Sequence, residues 1–196
     1  MTAKEKLIEK IIDQEWWFFS QVEGIDGRAV CQDRPKTFRR MRRAQHAIFS
    51  EATLNLLLND YLDYQDLGRN PIAEKYAWMM RQTDPTYFAQ QLAPQLVMPS
   101  PVKVAAIQEL ADLFALAQQE FSQDQLARQV EGRVEQSGYG EVSSLDYLTG
   151  ELETWSLGTL YSALQDMQKM SASGRNPVLE IVRNTVKDFK GARSDG

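Results

Sequence analysis

Glu15, Arg42, Gln45 and Glu151 are polar side chains at positions where a helical period calls for apolar ones. Glu15 falls near the centre of the sector defined by Ile8, Ile11, Phe18, Phe19 and Val22. Arg42 and Gln45 lie inside a stripe made by Phe38, Met41, Ile48, Phe49, Ala52 and Leu56, and Glu151 is flanked by Tyr147, Leu148 and Trp155. An unpaired carboxylate or guanidinium is expensive to remove from water, so these groups must meet one another or a ligand. Two chemistries fit. One is a buried ion network that fixes helix register. The other is a pocket where Arg42 grips an anionic group through two parallel N–H donors while a carboxylate serves as acceptor or base.

Other chemistry is less well supplied. Cys31 lies in the loop Gly27-Arg28-Ala29-Val30-Cys31-Gln32, where Arg28 would favour a thiolate, and His46 is the one imidazole able to act as its base. The simpler reading is a packed Cys31 with His46 at the boundary of the apolar stripe. The Glu-x-x-His pairs of di-iron bundles are absent, which argues against a metal and leaves only an oxygen-only site for a hard cation. Lys36, Arg39, Arg40 and Arg43 point away from the apolar stripe as a solvated face. They lack interleaved aromatics and a helix-turn-helix context, so nucleic acid is not the expected partner. The run Trp16-Trp17-Phe18-Phe19 covers nearly every side of its helix and reads mainly as core.

The elements that position these residues are helical throughout. Apolar spacing predicts helices over about 3–22, 36–68, 70–82, from 102 onward to about 136, 144–172 and 177–190, about six in all, and nothing alternates with period two. Asp84-Pro85, Pro94, Pro99 and Pro101 make the segment between the third and fourth helices a broken connector with at most a short helix. The expected fold is all-α, one domain over 1–196.

Internal similarity organises that domain. Gly68-Arg69-Asn70-Pro71 recurs as Gly174-Arg175-Asn176-Pro177, 106 positions later, and Ser50, Thr53, Leu54, Leu58, Asp60 and Glu74 align with Ser156, Thr159, Leu160, Leu164, Asp166 and Glu180. The chain reads as two long-helix, short-helix units over about 37–82 and 143–188, joined by an N-terminal helix and a connecting helix, and packed about a pseudo-twofold axis. The tetrapeptide is a helical corner. Gly ends one helix in the left-handed conformation, Asn caps the next, and Pro is preset for its first position.

The 196 residues carry 22 Lys and Arg against 27 Asp and Glu, a net charge of −5, one Cys and one His. A single Cys excludes an intramolecular disulfide, a cysteine zinc cluster and a CxxC redox pair. No apolar run reaches the length of a membrane span and the first residues lack a secretory signal, so a cytosolic protein is expected.

Taken together, Glu15-Trp16-Trp17-Phe18, Gly27-Arg28-Ala29-Val30-Cys31-Gln32, Thr37-Phe38, Met41-Arg42 and Gln45, Gly68-Arg69-Asn70, Tyr147-Leu148 with Gly150-Glu151-Leu152, Ser156 and Asn184-Thr185-Val186 form a motif series. It resembles a bacterial family of unknown function numbered forty-one twenty-five, over nearly the whole chain. The resemblance implies a shared fold and site without an assigned reaction or cofactor. Typical members have a second Gly before the motif arginine, Ser before the Cys, an aromatic in place of His46 and Arg in place of Thr149. These departures weaken a Cys31–His46 pair and leave Arg28, Gln32, Arg42, Gln45 and Glu151 as carried-over site residues. The expected function is binding of a small anionic molecule by Glu15, Arg28, Gln32, Arg42, Gln45 and Glu151, with catalysis open. The rival is a non-catalytic scaffold that binds a protein through exposed helix faces.

Overall fold

The computed structural model describes residues 1–23, 27, 30–122 and 143–191. Among them are nine α-helical segments and no strand: α1 (Ala3–Phe19), α2 (Pro35–His46), α3 (Glu51–Asp66), α4 (Pro71–Thr83), α5 (Pro85–Tyr87), α6 (Pro101–Ser122), α7 (Ser144–Leu152), α8 (Leu157–Ala172) and α9 (Pro177–Gly191). The all-α class agrees with the sequence, but about six helices is too few. Each of the two long patterns is broken, and the connector adds the one-turn α5. The helical stretch expected beyond Ser122 and the loop residue Arg28 lie outside the described residues.

The two breaks share one cause. Ser50 and Ser156 have extended backbones, and their hydroxyls accept from the N–H of Thr53 and Thr159 as N-caps of α3 and α8. An aspartate from the opposite helix completes each cap. Asp166 accepts from the N–H of Ser50 at 2.8 Å and the hydroxyl of Thr53 at 2.6 Å. Asp60 accepts from the N–H of Ser156 at 2.9 Å and the hydroxyl of Thr159 at 2.7 Å. A carboxylate at a helix N-terminus satisfies free donors and favours the positive end of the dipole. Hydrophobic period is blind to this, since apolar spacing continues across both breaks. The break rotates the two parts of each wheel relative to one another, so Met41 and Leu56, expected in the core, are exposed, and Ala44 and His46 are buried instead.

Residues 106 positions apart occupy matching places: α3 and α8 have the same length, and the bounds of α4 and α9 begin at Pro71 and Pro177. The corners behave as their chemistry dictates. Gly68 and Gly174 have φ of 64° and 71°. Asn70 accepts from the N–H groups of Ile72 and Ala73, and Asn176 from that of Leu179. Each asparagine also donates its amide to a neighbouring helix, Asn70 to the carbonyl of Phe18 and Asn176 to that of Ala117, both at 2.9 Å.

That last pair extends the correspondence to helices the sequence left unrelated. Lys4 in α1 donates to the carbonyl of Ala47 at 2.8 Å, and Lys103 in α6 donates to that of Glu153 at 2.7 Å. Lys4 and Lys103, like Phe18 and Ala117, stand 99 positions apart. Helix contacts follow the same rule: α1 meets α2, α3 and α4 as α6 meets α7, α8 and α9. The halves interlock, with α4 lying on α7, α9 on α2, and α3 crossing α8 at the centre. Phe49 and Trp155, the aligned residues before the two caps, touch edge to face at 5.7 Å between centroids. The core runs through both halves, from Ile11 and Phe18 through Leu54 and Leu57 to Leu110, Leu152, Leu160 and Met167.

Candidate functional site

The interlock brings five helices to one point. Glu15 from α1 is fully buried in the middle of the α1 apolar face and meets Arg42 from α2 in a two-pronged pair, Nε to Oε2 at 2.8 Å and Nη2 to Oε1 at 2.5 Å. Arg42 Nη1 donates to Oε1 of Gln45 at 2.6 Å and to Oε2 of Glu151 at 3.2 Å, while Nη2 also reaches Oε1 of Glu151 at 2.6 Å. Lys75 from α4 donates to Glu151 Oε2 at 2.5 Å. Two carboxylates therefore face one guanidinium and one ammonium, and all the guanidinium nitrogens have protein acceptors.

Glu15 Oε1 takes two further donors, the Tyr61 hydroxyl of α3 at 2.8 Å and Nε2 of His46 at 2.9 Å. Because a carboxylate held this way is acceptor-only, His46 carries its proton on Nε2. Its buried Nδ1 has no hydrogen-bond partner among the described residues. Arg42, at 3.4 Å from Nε2, makes no donation there.

Electrostatics follow from burial and pairing. Burial alone would raise the pKa of Glu15, but Arg42 and His46 outweigh it and hold the carboxyl far below the usual carboxylate range. The same contest at Glu151, with Arg42 and Lys75 opposing burial, brings it down from 4.5 to about 2. Burial and the nearby Glu15 push the Tyr61 phenol well up, so it remains a donor. A general base needs a pKa near the working pH. Both carboxylates are shifted the other way, so the expectation that one of them acts as a base is not what this geometry provides.

The shifts have a thermodynamic consequence. A carboxyl whose pKa is lower in the folded protein than in the unfolded chain contributes stability above the unfolded value and loses it as pH falls through the folded one. For Glu151 that window runs from 4.5 down to about 2. Urea midpoints measured at successive pH values should fall steeply through it, and Glu151→Gln should flatten the slope. An equal slope in the variant would mean that Glu151 is not held by Arg42 and Lys75.

Of the residues singled out in the sequence, Glu15, Arg42, Gln45 and Glu151 come together. Gln32 is held through its amide at the end of α1. Its buried amide donates to the carbonyls of Phe19 at 2.7 Å and Val22 at 2.8 Å, where it closes the end of α1. These bonds answer part of the row of unpaired carbonyls that every helix end presents. Arg28 lies outside the described residues, as does the side chain of Cys31. Tyr61 and Lys75 carry no mark in the sequence, since Tyr61 follows the apolar period and Lys75 sits on a short amphipathic helix. His46 was readable only as a boundary residue.

The surrounding charges are also paired more fully than a solvated face would be. Arg39 meets Glu9 and Asp13, and Arg43 meets Glu9 and Asp188. Arg69, the corner arginine, forms a two-pronged pair with Glu74 and lies over the Tyr64 ring. Trp16 packs against Phe19 and Phe38, whereas Trp17 is 46% exposed. Among the described residues no group of three or more His, Cys, Asp and Glu is placed to hold a metal ion, and no helix is long and apolar enough to cross a membrane.

An all-helical protein whose interlocked halves close on a buried Glu–Arg–Glu–Lys chain is the class these features define. The chain belongs to the family described as protein of unknown function DUF4125, whose profile matches residues 5–194. No curated protein and no solved structure matches it.

Proposed function

We propose that this chain is a binding protein for a small anionic molecule, with the contact at the outer end of the buried network, where Lys75 meets Glu151. One observation supports this reading above others. The network is fully enclosed at Glu15, while Arg42, Glu151 and Lys75 keep 13%, 11% and 15% of their side-chain surface, and Lys75 has one hydrogen bond among the described residues. An ammonium has three donors, so Lys75 can take a carboxylate or phosphate oxygen without surrendering Glu151. Arg42 then acts from behind, holding Glu151 and α7 in place. Glu15, Gln45, His46 and Tyr61 orient Arg42, and the reading assigns no reaction to any of them.

Reading the two halves as copies of one unit belongs to the same proposal. It is supported by the matched lysine, asparagine and aspartate hydrogen bonds. Copies fused about a pseudo-twofold axis create a single asymmetric seam in which one half can specialise.

A thermal-shift screen of anionic metabolites on the wild type and Lys75→Met tests the reading. A ligand at ten times its dissociation constant multiplies the folding equilibrium constant about eleven-fold, and Lys75→Met should abolish that gain. If no anion moves the wild-type midpoint, or if Lys75→Met responds equally, the reading fails. The second reading, a scaffold that binds a protein, then takes precedence. It is favoured by the full engagement of the Arg42 donors, which makes the network a fastening alone.

A further inference from the structure

Half of the Gln45 amide is not used by the network. The side chain is partly buried, and its Oε1 accepts from Arg42 Nη1 at 2.6 Å, which turns the amide nitrogen away from the guanidinium. Nε2 has no hydrogen-bond partner among the described residues. The buried side-chain atoms in that condition are His46 Nδ1, Glu153 Oε2 and Trp155 Nε1, so Gln45 Nε2 is not enclosed and keeps contact with solvent. Lys75 stands on the other side of the same contact. Arg42 Nη1 donates to both Gln45 Oε1 and Glu151 Oε2, and Lys75 Nζ donates to that same Oε2. The two N–H bonds of a planar guanidinium nitrogen diverge by about 120°, so their acceptors lie side by side. Beyond each acceptor is a donor without a protein partner: the amide nitrogen of Gln45 on one side and the ammonium of Lys75 on the other.

We propose that the anion bound at Lys75 is a monocarboxylate, one oxygen taken by Lys75 Nζ and the other by Gln45 Nε2; this rests on the anion reading and names its ligand class. The pair of donors suits a head with two equivalent oxygens, since hydrogen bonds to an ionised acceptor are stronger than neutral ones. Charge separates the classes. Glu15 and Glu151 already offset Arg42 and Lys75, so the network has no surplus positive charge to hold a phosphate dianion. His46 faces Glu15 at the enclosed end, and the other neighbour of Lys75 is the uncharged Tyr147 ring, 6.0 Å from Nζ. A carboxylate brings one charge and shares it between two donors. A neutral amide is the fitting second donor, because it adds no cation to compete with Lys75 and Arg42 for Glu151.

The test is titration of the full chain with sodium acetate and with inorganic phosphate at equal ionic strength, under mildly alkaline conditions where phosphate is a dianion, followed by NMR. Acetate should bind about tenfold or more tightly than phosphate, and the side-chain N–H resonances of Gln45 should move along the same saturation curve as the backbone signals. Gln45→Glu keeps an oxygen for Arg42 but removes the outward donors, so it should weaken acetate about tenfold or more, the loss of one hydrogen bond to an ionised group. Because that variant also adds a charge, the wild-type Gln45 resonances decide the contact itself, and they decide alone if the variant does not fold. Tighter binding of phosphate, Gln45 resonances that stay still while acetate binds, or a folded Gln45→Glu that binds acetate as the wild type does, each overturns the proposal. The anion reading survives those results if Lys75→Met abolishes the binding that is seen. A wild type that responds to neither salt overturns both.

Discussion

Arg42→Met should lower the free energy of unfolding by about 3–5 kcal/mol, the range found when one partner is removed from a buried ion pair. The loss comes less from the bonds themselves than from what they leave behind. Glu15 has no exposure, and without the guanidinium its charge keeps only the Tyr61 and His46 donors. Glu151 keeps Lys75 but loses its inner partner. Since domains of this kind are stable by only about 5–15 kcal/mol, a loss of that size should be plain in urea unfolding at neutral pH. The triple variant Arg42→Met, Glu15→Gln, Glu151→Gln should recover much of it, because no inner carboxylate is then stranded. A single variant within about 1 kcal/mol of wild type, the scale of an exposed ion pair, would show that the network is open to water and contradict its burial.

Gly150→Ala should be the most damaging single-methyl change in the protein. A Cβ at residue 150 would stand 2.7 Å from the backbone oxygen of Lys75 and 2.8 Å from Cγ of Met79. The methionine can swing aside, but the Lys75 carbonyl belongs to the α4 backbone, so α4 and α7 must separate. Overpacking of this kind costs about 1–3 kcal/mol. It should also loosen the Lys75–Glu151 pair, which spans the same crossing. Gly158→Ala is the matched control. That position is helical, the nearest atom to an added Cβ is the Ser156 hydroxyl at 3.8 Å, and the change should be neutral or stabilise by up to about 1 kcal/mol. Paired thermal melts of the two variants check this. If both shift alike, the close approach at residue 150 is not what fixes the crossing.

The aligned residue in the other half, Ala44, has a methyl where Gly150 has none and is 1% exposed. The α4 and α7 crossing carries Lys75 and Glu151. Matching element order therefore does not impose a matching site.

How far the site could be read from the chain depends on the kind of signal each residue sends. Glu15, Arg42, Gln45 and Glu151 are legible because they break an apolar period, and a polar group in such a place must be answered by another. Tyr61 is silent, since a phenol fits an apolar stripe and shows its polar end only when a partner is known. Lys75 is silent for a different reason: a lysine on a short amphipathic helix is ordinary until that helix is laid across α7. Gln32 misleads. It lies within a motif, and the carbonyls it serves belong to a helix end that the sequence cannot place against it.

The chain by itself determined the helical class, the Gly-Arg-Asn-Pro corners and the matched spacing of Ser, Thr and Asp, because these follow from local backbone preferences and periodicity. It could not determine the breaks at Ser50 and Ser156, whose caps are completed by aspartates more than 90 positions away. Nor could it reveal that α1 and α6 are counterparts, since their sequences share little beyond lysines that reach equivalent carbonyls. Tertiary structure also decided that one half is polar where the other is not. Arg42, His46, Tyr61 and Lys75 align with Leu148, Leu152, Met167 and Ile181, and Glu15 with Phe114. A charge can be buried in one half only where the opposite half delivers its counter-charge, and that delivery depends on how the halves interlock, which local sequence does not encode.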